Sequence, residues 1–301
     1  MKRSEFLLNS TLLAASAFLP LKELSKLWQS PFTPLRRNVG YFTGSGGSIG
    51  WLANKDALVA VDSQFPDSAK TCLEGLQEMT KHPMDLLINT HHHGDHTAGN
   101  PIFKKVAKHI VAHKNVPALQ KAAAERRGKE TLSQQVYADQ VFDTRWKQDV
   151  GDETVHGMHF GAAHTGGDAV IYFEKANVAH MGDLVFNRAY PFIDRAGGAS
   201  ITNWVNVLET TVKELNNDTI YIFGHGNAEF GVSGSKDDVL LKANFLEALL
   251  EFTQNGIDKG ISKETLMETK ALKGFEVFDA PGWSLSLTNN IDVAYQELTE
   301  K

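Results

Sequence analysis

Unbroken apolar runs alternate with amphipathic stretches along most of this chain. Ala57–Val61, ending at Asp62, and Met84–Asn89 are apolar enough to predict strands covered on both faces. Asn38–Phe42 and Ile49–Asn54 predict a pair of strands around the glycine-rich turn Gly44-Ser45-Gly46-Gly47. Ser68–Lys81 predicts a helix. Asn100-Pro101 predicts another helix start, with asparagine as the cap and proline at the first helical position. Further on, His109–Ala112 reads as a strand and Val116–Lys129 as a helix. Gln140–Phe160 alternates as hairpins do, and Ala169–Phe173 and Asn177–His180 read as two short strands about a turn. Asn203–Leu215 is an amphipathic helix, Thr219–Phe223 a last strand, and the chain from about Lys236 is mainly helical. Strand and helix alternating in this way point to a layered α/β architecture, sheet inside and helices outside.

The first thirty residues read differently. Lys2 and Arg3 precede an apolar stretch from Phe6 to Leu21, broken by Asn9, Ser10 and Thr11, with Ala15-Ser16-Ala17 as a cleavage site. The stretch is too short and polar for a membrane span, so an export signal is expected; a buried N-terminal helix is the competing reading. Arg3-Ser4-Glu5-Phe6-Leu7 resembles a twin-arginine signal whose second arginine has become serine, which leaves the export route open. Leu21 to Pro34 reads as a linker, closed by Pro31 and Pro34. The organisation expected is a signal peptide and linker over 1–30 and a single domain over 31–301, acting in the periplasm or otherwise outside the cytosol, with no stable membrane span once the signal is removed.

Charge and cysteine content narrow the function. A net charge of −6 over 301 residues argues against a nucleic-acid partner, which needs a concentrated positive field. Lys104-Lys105 and Arg126-Arg127 read as solvated helix faces. Cys72, the one cysteine, excludes an internal disulfide and a cysteine-rich zinc site; its place in a helical apolar pattern marks it as a small buried side chain. The sequence carries no signal for oligomeric state.

The chemistry sits in His91-His92-His93-Gly94-Asp95-His96, directly after the Met84–Asn89 strand. On extended backbone His91 and His93 point to one side, and the turn at Gly94 brings Asp95 and His96 to the same place. Imidazole and carboxylate around an open position are what catalytic zinc uses. A histidine-rich surface loop or a tag is the bland alternative, but the run is internal, contains an aspartate and follows a buried strand. His92 faces the other way and is left out. Gly46-Gly47-Ser48-Ile49-Gly50 fits the serine-hydrolase pattern G-x-S-x-G, yet a strand rather than a helix follows, so the match is accidental.

Thr90-His91-His92-His93-Gly94-Asp95-His96-Thr97 resembles the H-x-H-x-D-H motif of the metallo-β-lactamase superfamily. Asp62, Ala163-His164-Thr165-Gly166-Gly167-Asp168, Met181-Gly182-Asp183 and Phe223-Gly224-His225-Gly226 resemble that family's further motifs, in the family's order. The resemblance, over about Asn38–Gly226, implies a four-layer αββα sandwich. It implies that His91, His93 and His164 hold a first metal, that Asp95, His96 and His225 hold a second, and that Asp183 bridges them. Two zinc ions are expected, with iron or manganese tolerable to the same donors. Asp62 would hold a ligand histidine through its other ring nitrogen, or cap its strand. His180 is a candidate for a similar supporting place; His82, His109, His113, His156 and His159 are expected to be structural or exposed.

The function expected is hydrolysis of a small molecule at an amide, lactam, lactone, ester or thioester carbonyl by a hydroxide generated between two metals, with Asp95 orienting it and carrying a proton. Tyr190–Ile193 and Gly44–Trp51 are candidate pocket walls. The rival is an iron-dependent oxidoreductase or sulfur-metabolism enzyme on the same fold.

Overall fold

Two sheets take up the apolar runs. The computed structural model describes residues 31–300, so the expected export segment lies outside the described residues. The first sheet has the strands in chain order: β1 (Phe32–Arg36), β2 (Val39–Phe42), β3 (Ile49–Ala53), β4 (Leu58–Val61), β5 (Leu86–Asn89), β6 (His109–His113) and β7 (Gln140–Phe142). The second sheet is built from β8 (Arg145–Val150), β9 (Glu153–Met158), β10 (Val170–Phe173), β11 (Val178–His180), β13 (Ile220–Ile222) and β15 (Ser233–Gly234), while β12 (Phe186–Asn187) pairs separately with β14 (His225–Gly226).

Period-2 alternation sorts the side chains into layers. Leu52, Val59, Val61, Leu86, Ile88 and Val111 of the first sheet meet Val155, Ile171, Phe173, Val178 and Ile222 of the second in one apolar core. In the central strands the intervening residues face outward and are buried under helices, whereas Val141 of β7 and Arg145 and Lys147 of β8 are exposed. On the second sheet Val170, Tyr172, Ala179, Tyr221 and Phe223 pack on Trp204 and Leu208 of the Ile201–Glu214 helix and on Phe245, Leu246 and Leu249 of the Lys236–Asp258 helix. On the first, the Pro66–Met79 helix buries Ala69, Cys72, Leu73 and Leu76. The result is the expected αββα order. Each fully buried aliphatic or aromatic side chain contributes about 1.5–3 kcal/mol.

Four expectations are corrected. Thr219–Phe223 is not the last strand, since β14 and β15 follow β13. Phe32–Pro34 belong to β1 rather than to a linker; β1 is an edge strand, where a proline such as Pro34 costs no interior ladder bond. Gln140–Phe160 is not all hairpin: β7 runs parallel to β6 in the first sheet, and only β8 and β9 form an antiparallel pair. Asn100 does not cap its helix. Gly99 is the cap residue, and the buried Asn100 amide bonds Asn89 Oδ1 at 2.9 Å and the Val136 carbonyl at 3.0 Å instead.

Parallel pairing decides where chemistry can sit. Strands β4, β5 and β6 run parallel, as do β11 and β13 across the core. Their C-terminal ends fall at Asp62, at Thr90-His91, at Met181-Gly182-Asp183 and at Phe223-Gly224-His225, so one rim of the sandwich collects all four segments.

Candidate metal centre

Backbone geometry aims these segments at one another. Asp62 leaves β4 with φ of 66°, a left-handed conformation uncommon for aspartate, and its carboxylate turns back to accept from the Thr90 amide and hydroxyl, both at 2.8 Å. Gly182 has φ of 50°, and a Cβ there would lie 2.5 Å from Thr90 Oγ1, so only glycine lets Asp183 approach the histidine loop. His180 supports that turn: its Nδ1 accepts from the Gly182 amide at 3.1 Å, beneath the site and outside both donor groups.

The side chains form two four-donor groups that share Asp183: His91, His93, His164 and Asp183, and Asp95, His96, Asp183 and His225. Every residue expected as a ligand is in one of them; His92 is in neither. In the first group His93 Nδ1 lies 3.1 Å from His91 Nε2 and 3.0 Å from His164 Nε2, with Asp183 Oδ2 3.7 Å and 3.5 Å from the latter two. In the second, His96 Nε2 is 3.0 Å from Asp183 Oδ1 and 3.5 Å from Asp95 Oδ2, and His225 Nε2 is 2.9 Å from Asp95 Oδ2 and 3.5 Å from Asp183 Oδ1. Four donors at zinc's usual 2.0–2.1 Å would be spaced by roughly 3.3 Å, so these separations suit a shared ion.

The outward ring nitrogens fix the tautomers. Thr90 gives its hydroxyl proton to Asp62, so Thr90 Oγ1 accepts from His91 Nδ1 at 3.0 Å. His96 Nδ1 donates to Asp62 Oδ2 at 2.8 Å, His164 Nδ1 to the Phe192 carbonyl at 2.8 Å, and His93 Nε2 to Asp194 Oδ2 at 2.9 Å. The inner nitrogens of His91, His93 and His164 therefore all carry lone pairs and face one another, which is repulsive unless a cation lies between them. His96 Nε2 and Asp183 Oδ1 are likewise buried without a hydrogen bond although 3.0 Å apart. Four carboxylates, Asp62, Asp95, Asp183 and Asp194, surround these imidazoles, and among the described residues no lysine or arginine pairs with any of them.

Electrostatics agree with a site built for cations. Burial, then the neighbouring His96, hold His91 well below its ordinary range, and burial with His93 pushes His164 down to about 3. Burial works against charge on Asp183, yet His96, His225 and His91 outweigh it and hold its carboxyl well below the usual range. Burial also opposes charge on His96 and His225, but Asp183 and Asp95 raise the first well above its normal value and the second to about 9. In both, the carboxylates favour a positive charge at the inner nitrogen, the place a metal would take.

Access is one-sided. Asp95 (28% exposed), His225 (17%) and His93 (14%) open to solvent, and the other donors are buried. A cavity of about 240 Å³ beside His92 and His93 is bounded by Phe65, Gln120 and Arg127, and one of about 160 Å³ beside His225 by Gln64 and Trp283. Of the two candidate walls, Phe192 reaches the site, half exposed 5.5 Å from the His93 ring, while Tyr190 packs in the core against Phe245. In Gly44–Trp51 only Gly46 and Gly47 approach the site, where a Cβ would meet Asp95 and His96 respectively, and Trp51 is buried. Ser48 is buried, its hydroxyl committed to the Phe223 carbonyl, so it is no nucleophile. Burial pushes the Cys72 thiol up, as suits an inert core side chain. Asp194 and the Phe192 carbonyl are the contributors that sequence reasoning missed.

A family model described as the metallo-beta-lactamase superfamily matches residues 44–225, which contain all seven donors. The metallo-beta-lactamase type 2 of Bacillus cereus is 27% identical over 193 residues, 62% of this chain and 71% of that protein. The stereoselective inverting sec-alkylsulfatase Pisa1 from Pseudomonas sp. superposes with a TM-score of 0.68 at 13% identity, over 90% of this chain and 50% of that one; this chain thus spans half the length of that structure. A metallo-beta-lactamase from Pontibacter korlensis superposes with a TM-score of 0.57 at 18% identity, over 73% of this chain and 99% of that one. At these identities the structural likenesses show the fold.

Proposed function

We propose that this chain, which belongs to the metallo-β-lactamase superfamily, is an exported two-zinc hydrolase of small molecules that cleaves a lactam, lactone, ester or thioester bond. The observation that carries this reading is the sharing of Asp183: one carboxylate offers Oδ2 to the three-histidine group and Oδ1 to the Asp95–His96–His225 group. Bound there, two divalent cations would supply Lewis-acid polarisation of a carbonyl and a nucleophile of hydroxide strength at neutral pH.

The protein's own part is positioning. Asp95 is the most exposed of the donors, and burial is outweighed by His96 and His225, which hold its carboxyl down at about 2. It therefore stays ionised at neutral pH, able to accept a hydrogen bond from a water and so orient it on the solvent side. Phe192 and Trp283, the latter 5.7 Å from the His225 ring, flank the opening and would shield a reacting carbonyl from bulk water. The relation to the Bacillus cereus metallo-beta-lactamase type 2 supports a carbonyl substrate. The charged and apolar sequence at Lys2–Leu21 supports export.

A panel of lactam, lactone, ester, thioester, sulfate-ester and phosphodiester substrates tests the reading, run with and without chelator. Turnover of a carbonyl substrate that disappears on chelation and returns with zinc is expected. Turnover confined to sulfate esters, or oxygen consumption by an iron-loaded protein, would overturn it.

A further inference from the structure

We propose that Asp194 is a positioning residue for the three-histidine half of the centre, acting through His93, and that the short segment Phe192–Gly198 supports that half separately from the other. The proposal rests on the two-metal reading.

His93 is the exception among the imidazoles. His91, His96, His164 and His225 face their groups with Nε2, whereas His93 does so with Nδ1. Its Nε2 then points away from the group and requires an acceptor, and Asp194 Oδ2 supplies one at 2.9 Å. Asp194 is itself held. Its Oδ1 accepts from the Gly197 amide at 2.9 Å, its own amide donates to the His164 carbonyl, and its carbonyl accepts from the Ala199 amide at 2.9 Å. Two residues earlier, the Phe192 carbonyl accepts from His164 Nδ1, and the Gly197 carbonyl accepts from the Gly166 amide next to the His164-Thr165 turn.

The outward nitrogens of His91, His93, His96 and His164 thus divide between two supports. Asp62 takes His96 directly and His91 through Thr90. The Phe192–Gly198 segment takes His93 and His164, two of the three imidazoles of one group and none of the other. A carboxylate on the far nitrogen fixes an imidazole's tautomer and orientation and raises its basicity, and its loss typically weakens metal binding 10–100-fold. Removing Asp194 therefore weakens one metal and spares the other.

A purely structural role, as the cap of the single turn Arg195–Gly197, makes a different forecast. In Asp194→Asn the side-chain oxygen still accepts from the Gly197 amide, but an NH₂ now faces the proton on His93 Nε2, and the non-ligand His92, whose Nε2 lies 3.4 Å from the same carboxylate oxygen, loses that neighbour too. Metal-free wild type, Asp194→Asn and Asp194→Ala would be titrated calorimetrically with zinc alone, and with cobalt(II) alone by absorption spectroscopy. His93 ring nitrogens would be followed by ¹⁵N NMR, and melting measured in chelator. For Asp194→Asn we expect one of two sites weakened 10–100-fold, a changed His93 tautomer signal and metal-free melting like that of wild type. Two sites of wild-type affinity in Asp194→Asn, or equal weakening of both, would overturn this role alone. Fewer than two zinc sites in wild type would overturn the two-metal reading instead.

Discussion

Replacing Gly47 with alanine isolates the second half of the centre by steric means. Gly47 lies outside the left-handed region, so alanine brings no backbone strain and space alone decides. A Cβ at this position would stand 2.1 Å from His96 Cε1 and 2.3 Å from Nε2, against the 3.4 Å at which contact becomes ordinary. The imidazole would have to retreat by more than an ångström, several times the roughly 0.2 Å tolerance of a zinc–nitrogen bond. It has nowhere to go: the ring is fully buried and its Nδ1 is held 2.8 Å from Asp62. Overpacking costs about 1–3 kcal/mol in the metal-free fold, while displacing a ligand should weaken zinc binding by more than the roughly 100-fold of an outer contact. Elemental analysis after dialysis should give one retained zinc per chain, with the His91–His93–His164 group still loaded. His96→Ala and the Gly47→Ala/His96→Ala pair should match each other, since the alanine acts only through that ring. Two zinc ions retained with wild-type affinity in Gly47→Ala would refute the reasoning.

Three further outcomes follow from the same geometry. Asp183→Asn keeps the shape but removes the shared charge, so both sites should weaken and chelator-sensitive turnover should vanish; wild-type kcat/KM would contradict the bridge. Burial pushes His180 down to about 4, and burial with His159 pushes His113 to about 4. Both folded values lie below the unfolded 6.5, so this stability is fully present above pH 6.5 and lost as pH falls through 4, at most about 3 kcal/mol for His180 and less for His113, where solvent screens the charge. The difference in urea unfolding between metal-free wild type and His113→Gln at pH 7 and 4.5 isolates one of them, and an equal difference at both pH values would count against a buried neutral imidazole there. Leu249→Ala, at a fully buried position between the second sheet and its helices, should cost about 2–5 kcal/mol with metal content unchanged.

Sequence patterning reached most of the architecture because buried strands write themselves as apolar runs. Ala57–Val61 and Met84–Asn89 became β4 and β5 within two residues, and Asn203–Leu215 became the Ile201–Glu214 helix. Where patterning failed, tertiary context had overridden a local rule. Pro31 and Pro34 mark a linker by composition, yet an edge strand tolerates proline. Asn100 had the residue type of a cap, but its amide serves the buried network of Asn89 and Ser63. At the centre, spacing alone showed His91 and His93 sharing a side; His164, Asp183 and His225 were legible only through the family motifs. Asp194 carried no signal at all. It lies 101 residues from His93, and only the fold brings the two together.

The most direct test of the account is a metal count on freshly purified full-length protein, paired with anomalous scattering at the zinc edge from a crystal. Two zinc ions per chain are predicted, one among His91, His93 and His164 and one among Asp95, His96 and His225, with Asp183 touching both. A single ion, or iron in one group with the other unfilled, would contradict it.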